Sequence, residues 1–155
     1  MASQLAALGF HAAVTYGNAP SVDILVGLLD GSATVSLQVK TSHWALRTRD
    51  RGKNKTPHHY EWDVGKRSAT LHRPDLFFAF VDLRWQSGQS PAVFIIPSEF
   101  VHQWFQGAIA KYFGGDENRL KRWRFHPGVN SIKQFENKWD LLWDYLKEKA
   151  PPSAT

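Results

Sequence analysis

Asp23, Gln38 and Lys40 are residues whose types and spacing can do chemistry on a phosphate. Asp23 lies in the apolar run Val22-Asp23-Ile24-Leu25-Val26, and Gln38-Val39-Lys40 closes the run that starts at Thr34. A turn around Asp30-Gly31 separates the two runs, so they read as neighbouring strands of a hairpin. Residues two apart on a strand share a face, so Gln38 and Lys40 point together. Val39 turns into the core with its carbonyl still available. Hydrolysing a phosphodiester takes a metal to polarise a non-bridging oxygen, an activated water and positive charge for the transition state. Asp23 offers the hard oxygen that Mg²⁺ or Mn²⁺ takes, and Gln38 and the Val39 carbonyl can complete the protein ligands. Lys40 can orient the water or stabilise developing charge. An Asp at a strand start and a Lys at a strand end are also ordinary surface residues, and spacing alone leaves that reading open.

The elements around these residues follow from periodicity and punctuation. Residues 3–8 read as the last turns of a helix stopped by Gly9, and Phe10 to Thr15 as a short strand. Tyr16 to Pro20 is a turn. Leu76 to Leu83 and Ala92 to Ile96 are nearly continuous apolar runs, the pattern of central strands. Tyr60, Trp62 and Val64 alternate with Glu61 and Asp63 as a short strand. Ser98 is placed to cap a helix with the apolar face Val101, Trp104, Phe105, Ala108 and Tyr112, ending at Gly114-Gly115. Ser131 and Gln134 stand in capping-box spacing before Ile132, Phe135, Trp139, Leu142, Trp143 and Leu146, which predicts a second long helix whose apolar stripe is core. The order of elements predicts an α/β fold with a central mixed sheet. Residues 1–149 read as one domain and 150–155 as a disordered tail.

Bulk composition bounds the rest. The chain has 155 residues, 43% of them hydrophobic, enough for a proper core without staples. It has no cysteine, which removes thiol catalysis, disulfides and zinc–cysteine sites. No apolar run approaches the ~18 residues of a membrane span, and no leader pattern is visible, so a cytoplasmic protein is expected. A net charge of +5 suits a polyanionic partner as well as it suits a merely soluble basic domain.

Two basic stretches are candidates for gripping nucleic acid. Arg47, Arg49, Arg51, Lys53 and Lys55 fall at every second residue of a polar connection from Thr41 to Pro57, which reads as a flexible loop beside Lys40. Lys121, Arg122 and Arg124 interleave with Trp123, Phe125 and His126, a pattern for phosphate contact with base stacking. A solvated loop and inward-folded rings explain the two patterns equally well. Of the seven histidines, His43 is best placed to touch the site. His58 and His59 are expected to point apart, as adjacent residues of an extended segment do.

The ordered package of helix end, strand, turn, Val-Asp-Ile-Leu-Val and then Leu-Gln-Val-Lys-Thr-Ser resembles the core of the PD-(D/E)XK nuclease superfamily, a group that includes restriction endonucleases and Holliday-junction resolvases. The likeness runs from about Gly9 to Thr41. It implies a restriction-endonuclease-like sheet flanked by helices, with Asp23 as the motif acid, Gln38 at the second acidic position and Lys40 as the motif lysine. It also implies Mg²⁺ or Mn²⁺ as cofactor, DNA as partner and a homodimer that engages two strands. Gln38 departs from the usual Glu or Asp, although some members carry Gln there. Many relatives add a Glu from the first helix, about three turns before its end, a position that falls ahead of Met1 and leaves only Ser3 and Gln4 in reach. Glu61 and Asp63 are the possible substitutes. The resemblance implies a metal-dependent DNA endonuclease, with a non-cleaving nucleic-acid-binding module on the same fold as the alternative.

Overall fold

The computed structural model describes residues 1–16, 21–51, 54–85 and 87–151, with the main chain alone at 50, 51 and 54. Lys53, most of the turn ending at Pro20 and the 152–155 end of the expected tail lie outside the described residues.

The chain opens with helix α1 (Ala2–Ala7) and strands β1 (His11–Val14), β2 (Ile24–Gly27) and β3 (Thr34–Ser42). A hairpin of β4 (Leu46–Arg51) and β5 (Asn54–Tyr60) follows, then β6 (Trp62–Asp63) and α2 (Lys66–Thr70). Next come β7 (Leu76–Asp82), β8 (Ala92–Pro97) and the long helix α3 (Ser98–Phe113). The last elements are β9 (Arg124–Phe125), α4 (Val129–Ile132) and α5 (Asp140–Lys149). The central sheet has five strands in the order β1-β2-β3-β7-β8. β1, β2 and β3 form an antiparallel meander, β3 runs parallel to β7, and β8 returns antiparallel. This is the predicted α/β architecture with a mixed sheet, and the predicted β2–β3 hairpin turns at Asp30-Gly31, where Asp30 accepts the Ser32 amide at 3.0 Å.

Each sheet face carries its own core. Phe78, Phe80, Phe94 and Ile96 meet Trp62, Phe125 and the Val101-Phe105-Ile109 row of α3 on one side. Ile24, Val26, Val35, Leu37, Ala79 and Ile95 meet Leu5, Phe10, Leu142 and Leu146 on the other. Every residue of β7 is buried, which explains its unbroken apolar run. Trp62 locks the crossover onto the sheet, its indole N–H donating to the Val81 carbonyl at 2.9 Å. A buried indole that lacked this acceptor would pay the desolvation penalty.

The structure corrects three expectations. The helix expected from Ser131 to Leu146 is broken: α4 and a 3₁₀ turn (Lys133–Phe135) end before Asn137, whose φ is 54° and whose N–H donates to Val93 at 2.8 Å. Ile132 and Phe135 pack on one sheet face, whereas Leu142 and Leu146 pack on the other. A straight helix cannot serve both faces, so the chain hooks around the edge strand β8 between them. Ser98 is not a cap either. Its hydroxyl accepts the Arg73 amide at 3.0 Å and donates to the Arg73 carbonyl at 2.9 Å, tying the start of α3 to the connection before β7. The Thr41–Pro57 connection, expected as a loop, holds the paired strands β4 and β5.

Candidate active site

Asp23 sits just before β2, where the pairing is irregular. Its N–H donates to the Leu37 carbonyl at 3.0 Å, while Ile24 also pairs with Leu37. Two residues therefore face one, the arrangement of a β-bulge, which re-aims a side chain at the end of a ladder. The re-aimed carboxylate takes the place of a strand carbonyl: its Oδ2 accepts the Val39 amide at 2.7 Å. Oδ1 has no partner among the described residues. In a strand both main-chain polar groups of one residue face the same way, so the Val39 carbonyl also turns toward Asp23.

Gln38 and Lys40 flank that amide on β3. Their parallel partners on β7 are Phe78 and Phe80, so both lie on the face that carries Trp62 and α3. Gln38 is only 5% exposed, and its Oε1 has no hydrogen-bond partner among the described residues. A buried amide oxygen without a protein donor is costly, and it leaves this atom able to ligate a cation. Lys40 is half-buried. Burial pushes its ammonium below the usual lysine range, and the charge of Asp23 pulls it partly back. The three residues predicted from sequence thus come together, Asp23 just before β2 and Gln38 and Lys40 within β3, which runs on to Ser42. The donor set is one carboxylate, one amide and one main-chain carbonyl, all hard oxygens. It fits a Mg²⁺-like ion that keeps several waters. No group of three His, Asp or Glu among the described residues is arranged to hold a metal by itself.

Glu61 and Asp63, the possible substitute acids, are committed elsewhere. Glu61 pairs with Arg47 at 3.4 Å and with Arg124 at 3.2 Å, and Asp63 pairs with Arg124 at 3.1 Å. These pairs fasten β6 to the basic hairpin and to β9.

The hairpin has a second anchor that sequence reading missed. Asp82, only 2% exposed, accepts the amides of Ala45 at 3.0 Å, Leu46 at 3.3 Å and Arg84 at 3.1 Å. It stands opposite Ser42 at the end of β3 and so sets where β4 leaves the sheet. A lone acid inside the run Leu76–Leu83 was the available signal, because a buried carboxylate must find donors.

Within the hairpin the basic residues divide between faces. Arg49 stands opposite Thr56, whereas Lys55 stands opposite Asp50, so the register puts Arg49 and Lys55 on opposite faces. Arg47, Arg49 and Lys55 are exposed. The register also skips one residue, His58, between the Thr48–Pro57 and Arg47–His59 pairs. That bulge brings the Nδ1 atoms of His58 and His59 within 2.8 Å, against the expectation that they point apart. Burial and the neighbouring His58 and His126 hold His59 below the usual histidine value. His43 packs against the exposed Trp85 at 5.4 Å between ring centres.

In the second basic stretch Trp123 and Phe125 fold into the core, Arg124 serves the ion pairs, and Lys121 and Arg122 remain exposed. The described concavities over β1 and β2 and along α3 do not include Asp23, Gln38 or Lys40. The candidate site thus lies on the interior strands β2 and β3, outside those concavities.

No family model matches this sequence, and no curated protein is significantly similar to it. Its fold is similar to that of a bacterial homing endonuclease, I-Ssp6803I, with a TM-score of 0.50 and 12% sequence identity over 95% of this chain and 83% of that one. The likeness is one of fold, and in this chain that fold is a five-stranded mixed sheet flanked by helices.

Proposed function

We propose that this protein is a metal-dependent endonuclease that hydrolyses DNA phosphodiester bonds at Asp23, Gln38 and Lys40. The observation that carries the reading is the buried, unpartnered Gln38 Oε1 beside a carboxylate re-aimed onto the next amide of the same strand. Similarity of fold to a homing endonuclease supports it. Asp23, Gln38 and the Val39 carbonyl are the ligands for Mg²⁺ or Mn²⁺, which when bound supplies Lewis-acid polarisation of the phosphate. Lys40 holds the attacking water or faces the developing charge, and its half-burial strengthens either role by thinning the solvent around it. Arg47, Arg49, Arg51 and Lys55 of the hairpin, with Lys53, Lys121 and Arg122, meet the phosphate backbone. Arg124 contributes by holding β9 and the hairpin strand in register. Two copies of the chain then serve the two strands of a duplex.

A second reading, a nucleic-acid-binding module that does not cut, is favoured by one observation. Glu61 and Asp63 are tied to arginines, which leaves Asp23 as the carboxylate at the site among the described residues. Incubation with plasmid, branched and single-stranded DNA in Mg²⁺, Mn²⁺ or EDTA separates the two readings. The nuclease reading expects metal-dependent cleavage that disappears in Asp23→Ala and Lys40→Ala. Cleavage that survives EDTA or both substitutions overturns the mechanism. Tight binding with no cleavage in any metal establishes the module instead.

A further inference from the structure

Helix α3 carries two apolar rows rather than one. Val101, Phe105 and Ile109 are buried against the sheet. Trp104, Ala108 and Tyr112, four residues apart along a neighbouring stripe, are not: Trp104 and Ala108 are half-buried and Tyr112 is 62% exposed. This second row runs between two adjoining grooves, one of about 410 Å³ and one of about 140 Å³, and His126 lines both. Gly107 opens the larger groove, with nothing within 4 Å of where a Cβ would stand.

The chemistry of the walls narrows the occupant. Lys111 and Arg122, both exposed, line the two grooves together with the rings, beside Arg124, whose charge Glu61 and Asp63 already meet. Among the described residues no Asp or Glu lines either groove. Lys111 lies over the Tyr112 ring at 5.1 Å, and Trp104 meets His126 edge-on at 4.7 Å. Ring faces beside cations and an absence of acids suit a ligand that alternates flat π systems with negative charge. A stacked duplex hides its base faces from a concave wall, whereas an unpaired nucleotide presents them. The grooves also continue the basic surface of the hairpin. His126 lies 6.1 Å from His59, which stands opposite Arg47 on β4.

We propose that the α3 groove takes an unpaired nucleotide of the bound DNA, its base against Trp104, Tyr112 and His126 and its phosphates on Lys111 and Arg122. This rests on the reading of the chain as a DNA-binding protein and adds a preference for unpaired over fully paired DNA.

The test is fluorescence anisotropy of the full chain in Ca²⁺ or EDTA, to suppress cleavage. One duplex is presented blunt and again with a short single-stranded gap. The gapped duplex is expected to bind about tenfold tighter, the scale of one stacked base. Tyr112→Ala and Lys111→Ala, both at exposed positions, are expected to erase that margin even if Trp104→Leu fails to fold. Arg49→Ala is expected to weaken both DNAs alike. Equal affinity of the wild-type chain for blunt and gapped duplex overturns the groove and leaves DNA binding standing. No measurable binding to either DNA overturns the underlying reading as well. If sedimentation instead shows a dimer that Tyr112→Ala splits, the groove holds a second copy and the proposal falls.

Discussion

The Asp23 carboxylate accepts the Val39 amide at 2.7 Å across sixteen residues of sequence, and that bond joins the two halves of the site. It fixes Asp23 beside the two side chains, Gln38 and Lys40, that flank Val39. The carboxylate thus has a structural duty on one oxygen, and its other oxygen has no partner among the described residues, so the two roles can be separated by substitution.

Asp23→Asn keeps an acceptor for the Val39 amide and removes the charge. Its unfolding free energy is expected to stay within about 0.5 kcal/mol of wild type, whereas Asp23→Ala loses the bond and about 1 kcal/mol. Both abolish cleavage. Urea denaturation beside a plasmid-nicking assay reads the two effects apart. Equal stability loss in the two variants would show that the amide bond is not what the carboxylate supplies.

Gln38 trades stability for a ligand. Gln38→Leu removes the buried, unpartnered amide oxygen and is expected to raise stability by about 1 kcal/mol while ending cleavage. The same variant is expected to lose any rise in Tm that Mn²⁺ gives the wild-type protein, because an ion stabilises only the state that binds it. Gln38→Glu is expected to bind Mn²⁺ more tightly than wild type. A Mn²⁺ shift that persists in Gln38→Leu would move the metal away from β3.

Lys40 titrates below its ordinary value of 10.5 because burial disfavours its charge, and Asp23 opposes the shift. Asp23→Asn is therefore expected to lower the Lys40 pKa further. The unfolded chain holds the proton more tightly than the folded one. Stability should accordingly rise with pH from the folded pKa up to the ordinary value. Titration of ¹³C-methylated Lys40 by NMR measures both shifts, and an unchanged pKa in Asp23→Asn would dissociate the pair.

Asp82 is expected to be the most costly polar substitution in the chain. Asp82→Ala strands three amides that its carboxylate now receives, at least one of them buried, for a loss of about 3 kcal/mol. Hydrogen exchange should quicken at Ala45 and Leu46 before it does in β7. Slow exchange there in the variant would mean that the hairpin is anchored by its ion pairs alone.

His59 gives stability an acid limb. Its folded pKa lies below the ordinary 6.5, chiefly through burial. The unfolded chain therefore takes up the proton first. Its contribution is complete above 6.5 and is lost as pH falls toward the folded value. Tm should decline on acidification from 6.5, and His59→Asn should flatten that decline. An identical slope in the variant would place the acid sensitivity elsewhere.

Some of this protein was legible in its residues alone. The apolar runs at Ile24, Val35, Leu76 and Ala92 give the sheet, since an unbroken apolar strand must be covered on both faces. The shared face of Gln38 and Lys40 follows from a side-chain period of two, although β3 runs past Lys40 to Ser42 rather than ending there. Three matters needed the tertiary structure, because long-range register decides them. A bulge opposite Leu37 aims Asp23 at Val39, and another turns His58 toward His59. The break at Asn137 sends one apolar periodicity to both sheet faces. Arginines at 47 and 124 claim Glu61 and Asp63 across many residues. Local sequence sets which face a residue can show. What that face meets depends on the chain that packs against it, and only the assembled sheet fixes that.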